Sequence, residues 1–165
     1  TCGKICSTLT KRRVPQVIAS FQDDVFLCFG EELPPSVNGV YRIGKGRIYK
    51  PMKVSNWKTA FCDAVAKIGS DIPLFSQGDL YVLFAWWNDK ADVDNRLKPA
   101  LDAMQGTVFF NDNLIKSLLS HKVSDGEGFL FYVSPKPFLY SLLLLDRFTG
   151  PEDLYKYLKE GVLSR

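Results

Sequence analysis

Two aspartates stand one residue apart in the segment Asp92-Val93-Asp94-Asn95-Arg96-Leu97-Lys98. In extended backbone, residues two apart point the same way, so Asp92 and Asp94 can present their carboxylates to one point. At about 4 Å such a pair repels by roughly 1–4 kcal/mol at effective dielectric constants of about 80 down to 20. A hard divalent cation between them turns that repulsion into attraction. Magnesium suits the pair, because it takes oxygen ligands, keeps several waters and needs few protein groups. The plainer reading is that Asp94 or Asn95 caps a helix while Asp92 is a solvated loop residue.

Lys98 follows Asp94 by four residues and falls on one helix face with Asp102. A lysine beside carboxylates can stabilise a pentavalent phosphate or protonate a leaving oxygen. It can equally be a surface lysine paired with Asp102 four residues on. Asp112, in Phe110-Asn111-Asp112-Asn113, is the third candidate carboxylate. A helix of about eleven residues spans some 16 Å, so the chain must turn back to bring Asp112 to the pair. Gly106 and the run Thr107-Val108-Phe109-Phe110 can supply that return. By itself, Asn-Asp-Asn is a turn signal.

The elements around these residues can be read from periodicity. Leu80 to Trp87 is a continuous apolar stretch, predicting a strand buried on both faces. The Asp92 segment leaves its carboxyl end, where α/β proteins build sites. Asn95 to Gln105 is predicted as a helix with Leu97, Ala100, Leu101 and Met104 on its buried side and Gly106 as its stop. Ser55 can cap an earlier helix whose apolar face is Trp57, Phe61, Val65 and Ile68, with Gly69 ending it. Val25 to Gly30, Lys116 to Val123 and Phe129 to Val133 read as strands, and Glu152 to Leu163 as an amphipathic helix. Leu33-Pro34-Pro35-Ser36-Val37-Asn38 cannot be regular, since two prolines remove two donors. Tyr41 to Lys50, with Gly44 and Gly46 between short apolar-basic runs, carries a hairpin signature.

The length of 165 residues fits one domain, and 46% hydrophobic with 24% charged residues is an ordinary soluble composition. The fold class expected is α/β (α+β), a mixed sheet packed by two main helices with an extra C-terminal helix. The boundaries expected are an irregular basic extension over 1–22, a core domain over 23–134 and a C-terminal extension over 135–165. A net charge of +3 is too small for a protein that coats nucleic acid, so any such binding needs its positive charge on one face. Between Gly39 and Lys58 there are six basic residues and no acidic one, which is either a binding face or a solvated hairpin. Cys2, Cys6, Cys28 and Cys62 form no CxxC pair, which points to a reduced, cytosolic protein. No run approaches the roughly 20 apolar residues of a membrane span. Trp86 or Trp87 could stack on an opened base, but core packing is the stronger expectation. His121, the single histidine, is expected to have a structural or surface role.

Taken in order, Pro34-Pro35-Ser36-Val37-Asn38, Tyr41-Arg42, Asp92-x-Asp94-Asn95-x-x-Lys98, Asp102-Ala103-Met104-x-Gly106 and Asn111-Asp112-x-x-Ile115 resemble the RusA family of Holliday-junction resolvases. The resemblance covers roughly Val25 to Val133, and its specific part is Asp92 to Ile115. It implies a homodimer that binds four-way DNA junctions and makes paired symmetric nicks in recombination and repair. It implies Asp92, Asp94 and Asp112 as ligands of one or two Mg2+ ions, with Lys98 as the catalytic lysine. Asp102 and Asn95 would stand behind them, Asp102 orienting Lys98. DNA would be held through its phosphates by Arg42, Lys45, Arg47, Lys50, Lys53, Lys90, Arg96 and Lys116. Two alternatives stand beside this expectation, a nuclease for other branched DNA and a catalytically inactive relative within a larger assembly. The terminal segments would extend the dimer interface, cover a sheet edge or contact a protein partner.

Overall fold

The computed structural model describes residues 15–39, 42–49, 52–88, 90–123, 125–137 and 145–163. The strands are β1 (Val17–Gln22), β2 (Val25–Gly30), β3 (Arg42–Gly44), β4 (Arg47–Tyr49), β5 (Leu80–Trp87), β6 (Ile115–Val123) and β7 (Gly128–Ser134). The helices are α1 (Met52–Ala66), α2 (Leu97–Met104) and α3 (Pro151–Leu163), with short 3-10 turns at Val37–Gly39 and Asp112–Leu114. Five strands form one mixed sheet in the order β1-β2-β7-β5-β6, and β3 and β4 form a separate two-stranded sheet. Within the large sheet β5 and β6 run parallel, and every other neighbouring pair is antiparallel.

The three inner strands are almost entirely apolar because the sheet is covered on both faces. Phe26 and Cys28 of β2, Val82, Phe84 and Trp86 of β5, and Phe129, Phe131 and Val133 of β7 face one side. There they pack with Trp57, Phe61 and Val65 of α1 and with Ala100, Ala103 and Met104 of α2. The intervening residues, among them Leu27, Leu83, Trp87, Leu130 and Tyr132, face Leu154, Tyr155 and Leu158 of α3. The mixed sheet, the two main helices and the extra C-terminal helix are therefore as expected. Trp86 and Trp87 are core residues, 1% and 0% exposed, which removes base stacking as a role for either.

The expectation of an irregular segment over 1–22 is corrected from Val17 onward, where β1 pairs with all of β2. The connecting turn takes Asp23 and Asp24 to φ of 52° and 59°, the two left-handed residues that a tight hairpin needs. Aspartate tolerates that geometry less well than the Asn-Gly usually found there, so Asp-Asp is a weak hairpin signal. The C-terminal segment is bound closely to the sheet. Trp87 Nε1 donates to the Phe148 carbonyl at 2.9 Å, and a Cβ on Gly126 would lie 1.9 Å from the Thr149 oxygen. Helix α1 already includes Met52, so Ser55 lies inside it rather than capping it. Cys28 is a buried free thiol and Cys62 a partly buried one, while Cys2 and Cys6 lie outside the described residues. No described helix is long and apolar enough to cross a membrane.

Candidate active site

Chain leaving β5 turns at once. Asn88 takes φ of 51°, and Asp92 to Arg96 close a turn in which Asn95 N–H donates to the Asp92 carbonyl and Leu97 N–H to that of Asp94, both at 3.1 Å. Helix α2 begins only at Leu97, two residues later than the apolar pattern predicts, and no side chain caps it. The capping role open to Asp94 and Asn95 is thus not taken up. Both Asp92 and Asp94 are exposed.

This turn is fixed from two sides. On one, the indole N–H of Trp86 donates to Ser120 Oγ at 2.8 Å, and the Ser120 hydroxyl donates to the Val93 carbonyl at 2.7 Å. Lys122 Nζ adds a bond to the Ala91 carbonyl, also at 2.7 Å. On the other side, Val37 N–H donates to the Asn95 carbonyl at 2.7 Å, and the Arg96 guanidinium donates to the Pro34 carbonyl. The irregular Pro34–Asn38 segment therefore has a structural task, to clamp the turn from outside the sheet. Arg96, expected on DNA, is a half-buried member of that clamp. Ser120 and Lys122 hold the turn although the sequence did not single them out, since the parallel pairing of β6 with β5 is what brings them beneath it.

Lys98, the second residue of α2, bonds Asp102 Oδ1 at 3.3 Å, with the two side chains 74% and 56% exposed. The structure thus forms the pairing that the spacing allowed. Asp112 lies elsewhere. It opens the 3-10 turn before β6, whereas the Asp92 turn is bonded over Ser120. Ile115 and Ser120 are separated by roughly 16 Å of strand. Among the described residues no three His, Cys, Asp or Glu side chains come together to hold a metal ion, so the single chain does not gather Asp92, Asp94 and Asp112. Two exposed carboxylates on a fixed turn still fit a hard cation that keeps most of its water.

The expected DNA contacts are spread out. Lys45 and Arg47 are exposed on the β3–β4 ribbon and Lys90 is exposed just before the site. The side chain of Arg42 and all of Lys50 lie outside the described residues. Lys116 bonds Asp79 at 3.2 Å, and that bond raises its pKa. A cleft of about 480 Å³ adjoins the site at Arg96, bounded by the Leu33–Ser36 segment, Lys53, Asn88 and Glu127, but it does not enclose the aspartates. His121 lies on β6 with its Nε2 2.9 Å from Asp146 Oδ1.

The family model described as endodeoxyribonuclease RusA matches residues 32–131, which spans the Pro34–Asn38 clamp, the aspartate turn and the strands beneath it. No curated protein matches the chain. With well over half of its length matched, the chain belongs to the RusA family of endodeoxyribonucleases.

Proposed function

We propose that this chain is a magnesium-dependent endonuclease that resolves four-way DNA junctions, working as a homodimer in which each copy nicks one of two equivalent strands. Family membership supports nuclease action on branched DNA in general. The observation that carries the finer reading is the aspartate turn, which is bonded into the fold on both sides yet turns two carboxylates outward. A protein that needed the turn only as a connection would have no use for that fixation. A two-fold protein is the natural reader of a two-fold junction.

Asp92 and Asp94 would hold the cation. When bound, it supplies a water of lowered pKa near the scissile phosphate and offsets phosphoryl charge. The chain's own residues do the rest. Lys98, held by Asp102, would offset charge on the phosphoryl oxygens and give a proton to the departing 3′-oxygen. Ser120, Lys122 and Arg96 keep the turn in one conformation, which saves the ordering cost at the moment of reaction. Lys45, Arg47 and Lys53 grip phosphates without reading bases.

The test is cleavage of labelled four-way junction, forked and linear duplex DNA, each with magnesium and with chelator. Symmetric nicks confined to the junction and lost on chelation are expected. Cleavage that survives chelation would refute the metal site, preference for the fork would refute junction resolution, and no cleavage of any substrate would refute the enzyme.

A further inference from the structure

Strands β3 and β4 place Ile43 directly opposite Ile48. The two side chains share one face of the ribbon, and they are 81% and 72% exposed. Among the other described isoleucines, Ile18 and Ile72 are exposed only singly, at 41% and 45%, so a paired, more fully uncovered β-branched face calls for an occupant. Its setting narrows the choice. Lys45 and Arg47 flank the pair, and the surrounding stretch from Gly39 to Lys58 contains six basic residues and no acidic one. Lys45 occupies the turn at φ of 50°, beside Gly46 at φ of 71°. That left-handed position favours Asn, Asp or Gly, and lysine there costs the turn stability while placing a charge at the ribbon's tip.

An occupant must therefore present negative charge next to flat apolar surface. Nucleic acid does both, with phosphates outside and base faces within the stack. A two-stranded ribbon fits a major groove, and isoleucine is among the side chains that wedge between base steps. Unstacking is least costly where stacking is already interrupted, which is the branch point. Resting on the reading of the chain as a branched-DNA nuclease, we infer that the β3–β4 ribbon is a wedge. Ile43 and Ile48 enter the base stack at the branch while Lys45 and Arg47 hold the flanking phosphates.

The experiment uses the full chain in chelator, so that nothing is cut, and junctions carrying 2-aminopurine either at the branch or far out on an arm. The protein is expected to raise fluorescence several-fold at the branch and not on the arm. The double variant Ile43→Thr, Ile48→Thr keeps strand-forming residues at exposed positions, so its melting temperature should match that of the native chain. It should lose most of the rise and bind the junction about tenfold more weakly, with affinity for linear duplex unchanged. A double variant that keeps the full rise would overturn the wedge. So would a native protein that binds junctions without any rise, and there the nuclease reading stands. A variant that sediments as a smaller species than the native chain would assign the isoleucine face to a second copy instead. If the native protein binds no branched DNA, the wedge and the nuclease reading fall together.

Discussion

The Asp92–Arg96 turn and the β3–β4 ribbon both carry charge to the surface, yet the fold treats them in opposite ways. The turn receives bonds from Ser120 and Lys122 on the sheet side and is tied to Pro34 and Val37 on the other. Among the described residues, the ribbon has two strands of three residues that pair only with each other, with their isoleucines left in solvent. A two-stranded ribbon is marginal alone. Carboxylates that share a cation must be held to within a fraction of an ångström, because misplacement is paid in rate. A surface that grips phosphates and probes base stacking has to adapt to its partner. Rigidity is thus placed where bonds would be broken, and adaptability where DNA would be held.

Substituting the fixed region should give the largest effect. Asp94→Asn should lower cleavage by more than about a hundredfold, since even residues one shell behind a metal ligand are worth about 10–100-fold. Junction binding in chelator should stay the same. Undiminished cleavage in a gel assay would take the site away from the turn. Ser120→Ala comes next. It leaves the buried Trp86 N–H without its acceptor, a cost of about 1–3 kcal/mol, and frees the Val93 carbonyl. Cleavage should fall about 10–100-fold, the range seen when a supporting residue behind a ligand is lost. The loss should lie in kcat with KM unchanged, and Ser120→Thr should restore it. A change confined to melting temperature would make Ser120 structural only.

On the ribbon the expected changes are smaller and of another kind. Lys45→Asn puts a residue that tolerates positive φ into the tip and removes one cation. The variant should be at least as stable as the native chain and should still cut. The slope of log affinity against log salt should fall by about 1. If cleavage instead collapsed while the slope stayed fixed, the ribbon would belong to the catalytic region and the contrast would fail.

How much of this could be read in the sequence follows the same division between local and distant causes. Strands β2, β5 and β7 are legible because sheet faces covered on both sides demand unbroken apolar runs. The position of Asp92 and Asp94 after β5 is legible for a local reason also. The anchors are not, since Ser120 and Lys122 reach carbonyls 27 and 31 residues away, and only the parallel crossover creates that proximity. Strand β1 was hidden by a turn built on two aspartates instead of Asn-Gly. The gathering of Asp112 with the other two carboxylates is a statement about return distance, and periodicity measures helix length without fixing where the next strand begins.

The smallest effect separates two lysines that composition cannot distinguish. Lys45 pairs with no acidic group among the described residues, while Lys116 bonds Asp79. That bond, and then the charge of Asp79, hold the Lys116 pKa above its ordinary 10.5. The raised value gives the pair a stabilising contribution that is complete below 10.5 and lost as pH rises through the folded-state pKa. Both side chains are more than half exposed, so the contribution is small and screened by salt. Asp79→Asn should return the Lys116 titration towards 10.5 when followed by lysine NMR. A cation already matched to a carboxylate has less to gain from phosphate, so Lys116→Ala should lower the salt slope by clearly less than Lys45→Asn does. Equal losses would mean that DNA draws Lys116 away from Asp79, extending the gripping surface from the ribbon to the start of β6.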